Sequence, residues 1–172
     1  MAKEQAPFAI ILGCSDSRVP TEIVFDQGFG DLFVIRVAGN IVAPSQVGSV
    51  EFAALQFGTP LIVILGHSQC GAVQATLEEL RQLTENKSRN LHSIVARIRP
   101  AVAELLRTEP NHDEDTLVQH AIRANVCASA NHLRHGSELL EQLVQNEELL
   151  VVGAEYSVET GVVEFFDGVE DC

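Results

Sequence analysis

The sequence predicts an α/β fold built on a central, mainly parallel sheet. Three observations carry that prediction. Short apolar runs alternate with helical patterns; the runs are continuously apolar rather than apolar-polar; and two of them end in glycine followed at once by a polar cluster. Continuous apolarity belongs to strands buried on both faces, as parallel strands are, and strands that alternate with helices build crossover units. Four runs, at 8–12, 32–36, 61–65 and 149–152, are rich in Ile, Val, Leu or Phe and bounded by Gly, Pro or charge. A fifth, 162–166, follows Thr160-Gly161 so closely that it suits an antiparallel edge strand. The predicted strand order is 2-1-3-4, with the fifth strand at an edge and helices flanking the sheet.

The helices follow from periodicity. Residues 45–57 come after Pro44, a good helix start. Residues 71–83 place Val73, Leu77, Leu80 and Leu83 at helical spacing. Residues 91–106 are periodic, with a kink expected at Pro100. Residues 113–144 read as mostly helical, punctuated by Gly136. The polar stretch 84–90 reads as a solvated connection between helices.

With 172 residues, the chain is expected to form one catalytic domain over 1–172. Apolar residues make up 46% and charged residues only 20%, which argues against disorder. The formal charge of −13 repels phosphate backbones and anionic lipid, so neither nucleic acid nor a membrane is an expected partner. A small neutral or weakly charged substrate fits better. No apolar run approaches the length of a membrane span, and no secretory signal is recognisable. The four cysteines, Cys14, Cys70, Cys127 and Cys172, are too sparse for a disulfide scaffold. A reducing, cytoplasmic setting is expected.

In open α/β sheets, ligands sit beyond the carboxyl ends of strands, where strand order reverses. In the order 2-1-3-4 that place lies between the first and third strands. Gly13-Cys14-Ser15-Asp16-Ser17-Arg18 ends the first, and Gly66-His67-Ser68-Gln69-Cys70-Gly71 ends the third. The two clusters therefore face each other. Cys14, His67 and Cys70 then present two thiolates and an imidazole, a soft set whose usual occupant is zinc, one ion per chain. Three protein ligands leave one position free, the catalytic pattern. Zinc with two thiolates is formally neutral and acidifies water less than zinc on three neutral imidazoles. A further group must orient the nucleophile. Asp16 can accept its hydrogen bond, and Arg18 can clamp Asp16 in a bidentate pair.

Each residue also has a plainer reading. A cysteine is commonly buried filler, His67 a structural hydrogen-bonding residue, and Asp16 with Arg18 a structural ion pair. A structural zinc site would show four ligands, and Cys127 and Cys172 have no metal-type spacing that would supply one. Joint placement at two adjoining strand ends favours the metal. A phosphatase-like loop needs a longer spacer than the three residues between Cys14 and Arg18, and no Cys-x-x-Cys exists. Gly28, Gly30 and Gly39 form no dinucleotide fingerprint. Asn86-Lys87-Ser88 matches a glycosylation triplet but lacks a secretory context. His92, His112 and His120 read as solvated helix positions, and His132 with His135 as a charged face near a helix end.

Cys14-Ser15-Asp16-Ser17-Arg18-Val19-Pro20 followed by Gly66-His67-Ser68-Gln69-Cys70-Gly71-Ala72 closely resembles the signature of the β-class carbonic anhydrases. The resemblance covers nearly the whole chain, through Phe25-Asp26-Gln27-Gly28, Arg36-Val37-Ala38-Gly39-Asn40 and Tyr156-Ser157-Val158-Glu159-Thr160-Gly161. It implies zinc on Cys14, His67 and Cys70 and the reversible hydration of carbon dioxide to bicarbonate and a proton. The attacking hydroxide would be held on zinc and oriented by Asp16, with Arg18 holding Asp16. In some members the aspartate matching Asp16 swings onto the metal, so Asp16 is an alternative ligand. The same resemblance implies that Gln5 helps hold substrate across a dimer interface. Phe33 and Phe52 would line an apolar pocket, Phe52 standing where relatives can carry Tyr, and the Gly71 N–H would sit near the bound anion. Members with an allosteric bicarbonate site carry Trp where this chain has Ile11, which with Gln5 implies an open site at neutral pH. A homodimer or higher homo-oligomer is implied. Members carry a largely helical arm ahead of the segment matching Gln5, so the four residues here imply a chain short of most of that arm. Two other functions fit the same residues: hydrolysis of carbonyl sulfide or carbon disulfide, and an inactive, truncated zinc protein with an assembly role.

Overall fold

The structure, a computed structural model, describes residues 5–82, 88–108 and 113–169. Strands β1 (Ala9–Gly13), β2 (Leu32–Arg36), β3 (Leu61–His67) and β4 (Leu150–Tyr156) run parallel, and β5 (Val163–Asp167) is antiparallel to β4. The order is β2-β1-β3-β4-β5, as the sequence predicts. Register sorts the apolar side chains onto two faces. Ile10 lies opposite Ile62, Leu12 opposite Ile64, and Ile62 opposite Val151. These pack with Val50 and Ala53 of α2 (Pro44–Phe57) and with Val126, Ala130 and Leu133 of α5 (Glu114–His135). Ile11, Val63, Leu65 and Val152 share the other face, which Val19, Val24, Phe25 and Val158 cover. Each fully buried aliphatic side chain contributes roughly 1.5–3 kcal/mol.

A third cluster lies at the carboxyl end of the sheet. It joins Cys14 and Cys70 to Val73 and Leu77 of α3 (Gly71–Gln82), Ile98 and Val102 of α4 (Arg89–Thr108), and Leu117 and Ile122 of α5. The two cysteines are thus embedded in an apolar wall.

Local chemistry sets the helix ends. Pro44 stands in the first turn of α2, and Gly58 follows its last residue. Asp113 caps α5 by accepting a hydrogen bond from the Thr116 N–H at 3.1 Å. The predicted helical stretch 113–144 is two helices. Gly136 ends α5, and the Ser137 hydroxyl accepts from the Leu140 N–H to start α6 (Glu138–Gln145). α4 runs on through Pro100, because burial of Val95, Ile98 and Val102 on one side outweighs the one backbone bond that proline removes. Of the predicted connection 84–90, Arg89 and Asn90 already belong to α4, while 84–87, like Leu83, lie outside the described residues. The short helix α1 (Thr21–Val24) and a 3-10 turn, Ala38–Asn40, carry no periodicity and were not predicted. β2 departs from the expected burial on both faces: it is the edge strand, with one neighbour, and is half-buried. Among the described residues no helix is long and apolar enough to cross a membrane.

β3 and β4 run further than their apolar runs. Pairing of Gly66 with Glu155 and of His67 with Tyr156 carries both strands to the site. Close approach of α5 requires the glycines there. A Cβ on Gly66 would meet Val126 Cγ2 at 2.5 Å, and one on Gly153 would meet Val126 Cγ1 at 2.8 Å. Gly66→Ala is therefore expected to destabilise the fold by about 1–3 kcal/mol through overpacking. Adding Val126→Ala should return part of that loss in urea unfolding. A Gly66→Ala protein with an unchanged midpoint would contradict the close packing.

Candidate metal centre

β1 and β3 are neighbours, with Gly13 opposite Leu65, so the residues that follow them emerge side by side. Cys14 leaves β1, His67 ends β3, and Cys70 stands just ahead of α3 after a two-residue turn. The two Sγ atoms and an imidazole nitrogen all lie within 4.8 Å of one another. All three residues are buried, His67 completely. The His67 Nδ1 lies 2.8 Å from the Ser68 carbonyl oxygen. That carbonyl can only accept, so Nδ1 carries the proton and Nε2 keeps its lone pair. Nε2 is buried and has no hydrogen-bond partner among the described residues. A lone pair left unpaired in an apolar wall costs roughly 1–3 kcal/mol. Two sulfurs and this nitrogen, converging in one place, fit a zinc ion by donor chemistry.

Of the two sulfurs, that of Cys14 is the one disposed to carry negative charge. The pKa of the Cys14 thiol is pushed well below its ordinary value, first by a hydrogen bond from Cys70 and further by the Gly39 N–H, against the effect of burial. Cys70 moves the opposite way, because it is the donor to Cys14 and is itself buried. The Gly39 N–H donates to Cys14 Sγ at 3.3 Å. Gly39 has φ +69, and a Cβ there would meet Ile98 Cδ1 at 2.8 Å. Both conditions call for glycine. Asn125 Nδ2 donates to the Gly39 carbonyl at 2.8 Å, and the Ser129 hydroxyl donates to the Asn40 carbonyl at 3.0 Å, so α5 fixes the turn. Arg36, at the end of β2, donates Nε to the Cys14 carbonyl at 2.9 Å and Nη2 to the Asp16 carbonyl.

Asp16 stands beside the three ligand atoms, with Oδ2 3.9 Å from His67 Nε2. Both its oxygens are held by Arg18: Nε reaches Oδ1 at 3.0 Å, Nη2 reaches Oδ2 at 2.9 Å, and the Arg18 backbone N–H adds a bond to Oδ1 at 3.0 Å. These bonds hold the carboxyl well below the usual carboxylate range. Arg18 in turn donates Nη1 to Gln69 Oε1 at 3.2 Å.

The carbonic anhydrase family model matches residues 9–163. The carbonic anhydrase of Mycolicibacterium smegmatis is 38% identical over 172 residues, covering 95% of this chain and 77% of that protein. Carbonic anhydrase 2 of Mycobacterium tuberculosis is 36% identical over 161 residues, covering 94% and 75%. The β-carbonic anhydrase CafA of Aspergillus fumigatus superposes with a TM-score of 0.87 at 26% identity, over 99% of this chain and 80% of that one. A tetrameric β-carbonic anhydrase from Sordaria macrospora gives 0.86 at 25% identity, over 96% and 83%. The chain belongs to the β-carbonic anhydrase family.

The remaining residues singled out in the sequence lie outside the three-ligand cluster. Phe33 on β2 and Phe52 on α2 pack together, ring centroids 6.3 Å apart, and Phe57 completes the group at 6.2 and 5.7 Å. Phe52 is 53% exposed. Gly71 opens α3, and the space where its Cβ would stand is free of atoms within 4 Å. Gln5 is exposed, ahead of β1. Cys127 is half-buried on α5, apart from the ligand cluster, and Cys172 lies outside the described residues. His92 is exposed, His120 is half-buried rather than solvated, and His112 lies outside the described residues. His132 and His135 are exposed near the end of α5, where His135 Nδ1 lies 3.2 Å from Glu141 Oε1. Sequence reasoning assigned no role to Arg36, Gly39 or Asn125. Arg36 acts with its guanidinium on two backbone carbonyls, Gly39 with its own N–H, and Asn125 on the Gly39 carbonyl from a distant helix.

Asn125 is buried and its amide satisfies a buried carbonyl. Asn125→Leu is expected to cost about 1–3 kcal/mol in urea unfolding, by leaving the Gly39 oxygen unpaired. Stability equal to the parent would show that this bond does not hold the turn.

Proposed function

We propose that this chain catalyses the reversible hydration of carbon dioxide to bicarbonate and a proton, as a single catalytic domain over 1–172, with one zinc ion held by Cys14, His67 and Cys70. The observation that carries the reading is the buried, unpaired His67 Nε2 converging with two sulfurs beside an Asp–Arg pair. Bound there, zinc supplies Lewis acidity, which makes water a usable nucleophile near neutral pH. The two thiolates balance its charge.

The chain's own residues do the rest. Asp16, kept ionised by Arg18, accepts a hydrogen bond from the attacking water and turns its lone pair toward the carbon. As the new C–O bond forms, one C=O electron pair moves onto oxygen and the water's proton passes to solvent buffer. The Gly71 N–H, at the start of α3, faces the negative charge that develops on the product. Phe33 and Phe52 offer carbon dioxide an apolar waiting place, and Gln5 contributes to holding it. The Asp16 carboxylate is also an alternative ligand if it turns from Arg18 to the metal.

The enzyme is proposed to be a cytoplasmic homo-oligomer. A similar solved protein is described as tetrameric, the half-buried β2 edge and exposed Phe52 leave apolar surface to cover, and the ligand thiols need a reducing setting.

Metal analysis and stopped-flow hydration assays test the assignments together. Cys70→Ala should lose zinc and activity. Asp16→Ala should retain zinc while kcat falls about 10–100-fold. An Asp16→Ala enzyme as fast as the parent would refute the role of that carboxylate.

A further inference from the structure

We propose that Glu159, on the turn between β4 and β5, is a positioning residue that aims Arg18 at Asp16 by fixing the Gln69 side-chain amide. The inference rests on the activity proposed above. Ser68 and Gln69 are the two residues between His67 and Cys70, and Glu159 holds both. Its carboxylate accepts from the Ser68 hydroxyl at 2.6 Å and from Gln69 Nε2 through a short hydrogen bond. Ser157 also donates to it, at 3.1 Å. Ser68 is tied further to the same strand end, donating its N–H to the Tyr156 carbonyl and accepting at Oγ from the Val158 N–H. Its carbonyl oxygen is the partner of His67 Nδ1.

A glutamine side chain has a donor end and an acceptor end. A carboxylate can only accept, so Glu159 takes the NH2 end and leaves Oε1 facing Arg18. Arg18 can only donate, and its Nη1 meets that oxygen at 3.2 Å while Nη2 meets the Gln69 backbone carbonyl at 3.3 Å. The remaining guanidinium edge is thereby presented to Asp16. Without Glu159 the amide is free to flip and set its NH2 group against the guanidinium. Gln69 also has φ +57, a left-handed conformation uncommon for a residue with a side chain, and Glu159 helps hold it there. Glu159 is exposed, so its hydrogen bonds serve geometry rather than core packing.

The test uses the zinc-loaded full chain. Glu159→Ala should lower kcat about tenfold with KM within about twofold, in the range found when groups supporting a metal site are removed. The Arg18 Nε–H signal in nitrogen-15 NMR, assigned by its loss in Arg18→Lys, should shift or broaden in Glu159→Ala. Glu159→Gln, whose amide oxygen can still accept from Gln69, should return kcat to within about threefold of the parent. Gln69→Asn shortens the reach while tolerating the left-handed backbone. Combined with Glu159→Ala, it should cost no more than the worse single change, because both cut one chain of contacts. Unchanged kcat together with an unmoved Arg18 signal in Glu159→Ala would overturn the proposal, as would losses that multiply in the double variant. If the parent itself hydrates no carbon dioxide, the proposed activity fails, and the Arg18 signal alone decides whether Glu159 positions the pair.

Discussion

The structure depends on one constraint: a buried imidazole nitrogen and two buried sulfurs must converge where β1 and β3 end. Parallel pairing of these strands makes the convergence possible, because their carboxyl ends lie side by side and His67 is itself the last residue of a strand. A loop histidine would keep rotamer freedom. This one has its ring set by a hydrogen bond from Nδ1 to the Ser68 carbonyl. Zinc coordination offsets the cost of leaving Nε2 without a protein partner, so folding and metal affinity are coupled at this point.

The surroundings form two braces. From β2 and the 3-10 turn after it come Arg36 and the Gly39 N–H, which hold the Cys14 segment through its carbonyls and its sulfur, and from α5 comes Asn125, which holds Gly39. From the end of β4 comes the Ser157–Glu159 turn, which holds the segment between His67 and Cys70. Asp16 and Arg18 stand between the braces: the Asp16 carbonyl accepts from Arg36, and Arg18 donates to Gln69, which the second brace holds. A carboxylate placed in this way needs no large motion to meet a reacting oxygen, which is how rigid positioning becomes rate.

How much of this can be read without coordinates depends on the atoms that make each contact. Cys14, His67 and Cys70 are legible because their side chains name their chemistry and their strands name their location. The Asp16–Arg18 pair is legible because a single residue, Ser17, separates its members. Arg36 is not, since it acts on backbone carbonyls 20 and 22 residues away. Gly39 acts through its N–H, which every residue but proline possesses. Glu159 reaches Ser68 and Gln69 across about 90 residues, and only the fold brings them together. The strands were legible as apolar runs, but the tail of β4 was not. Gly153, Ala154 and Glu155 continue the strand by pairing with β3, and their composition gives no sign of it. The break between α5 and α6 is marked by Gly136, yet the cap that starts the next helix is the Ser137 hydroxyl.

The most direct test of the central claim is X-ray absorption at the zinc edge of the purified, zinc-loaded chain. The account predicts a first shell of two sulfurs at about 2.3 Å, one imidazole nitrogen at about 2.0–2.1 Å, and one further light atom. A shell of four sulfurs, or one of light atoms with no sulfur, would contradict it.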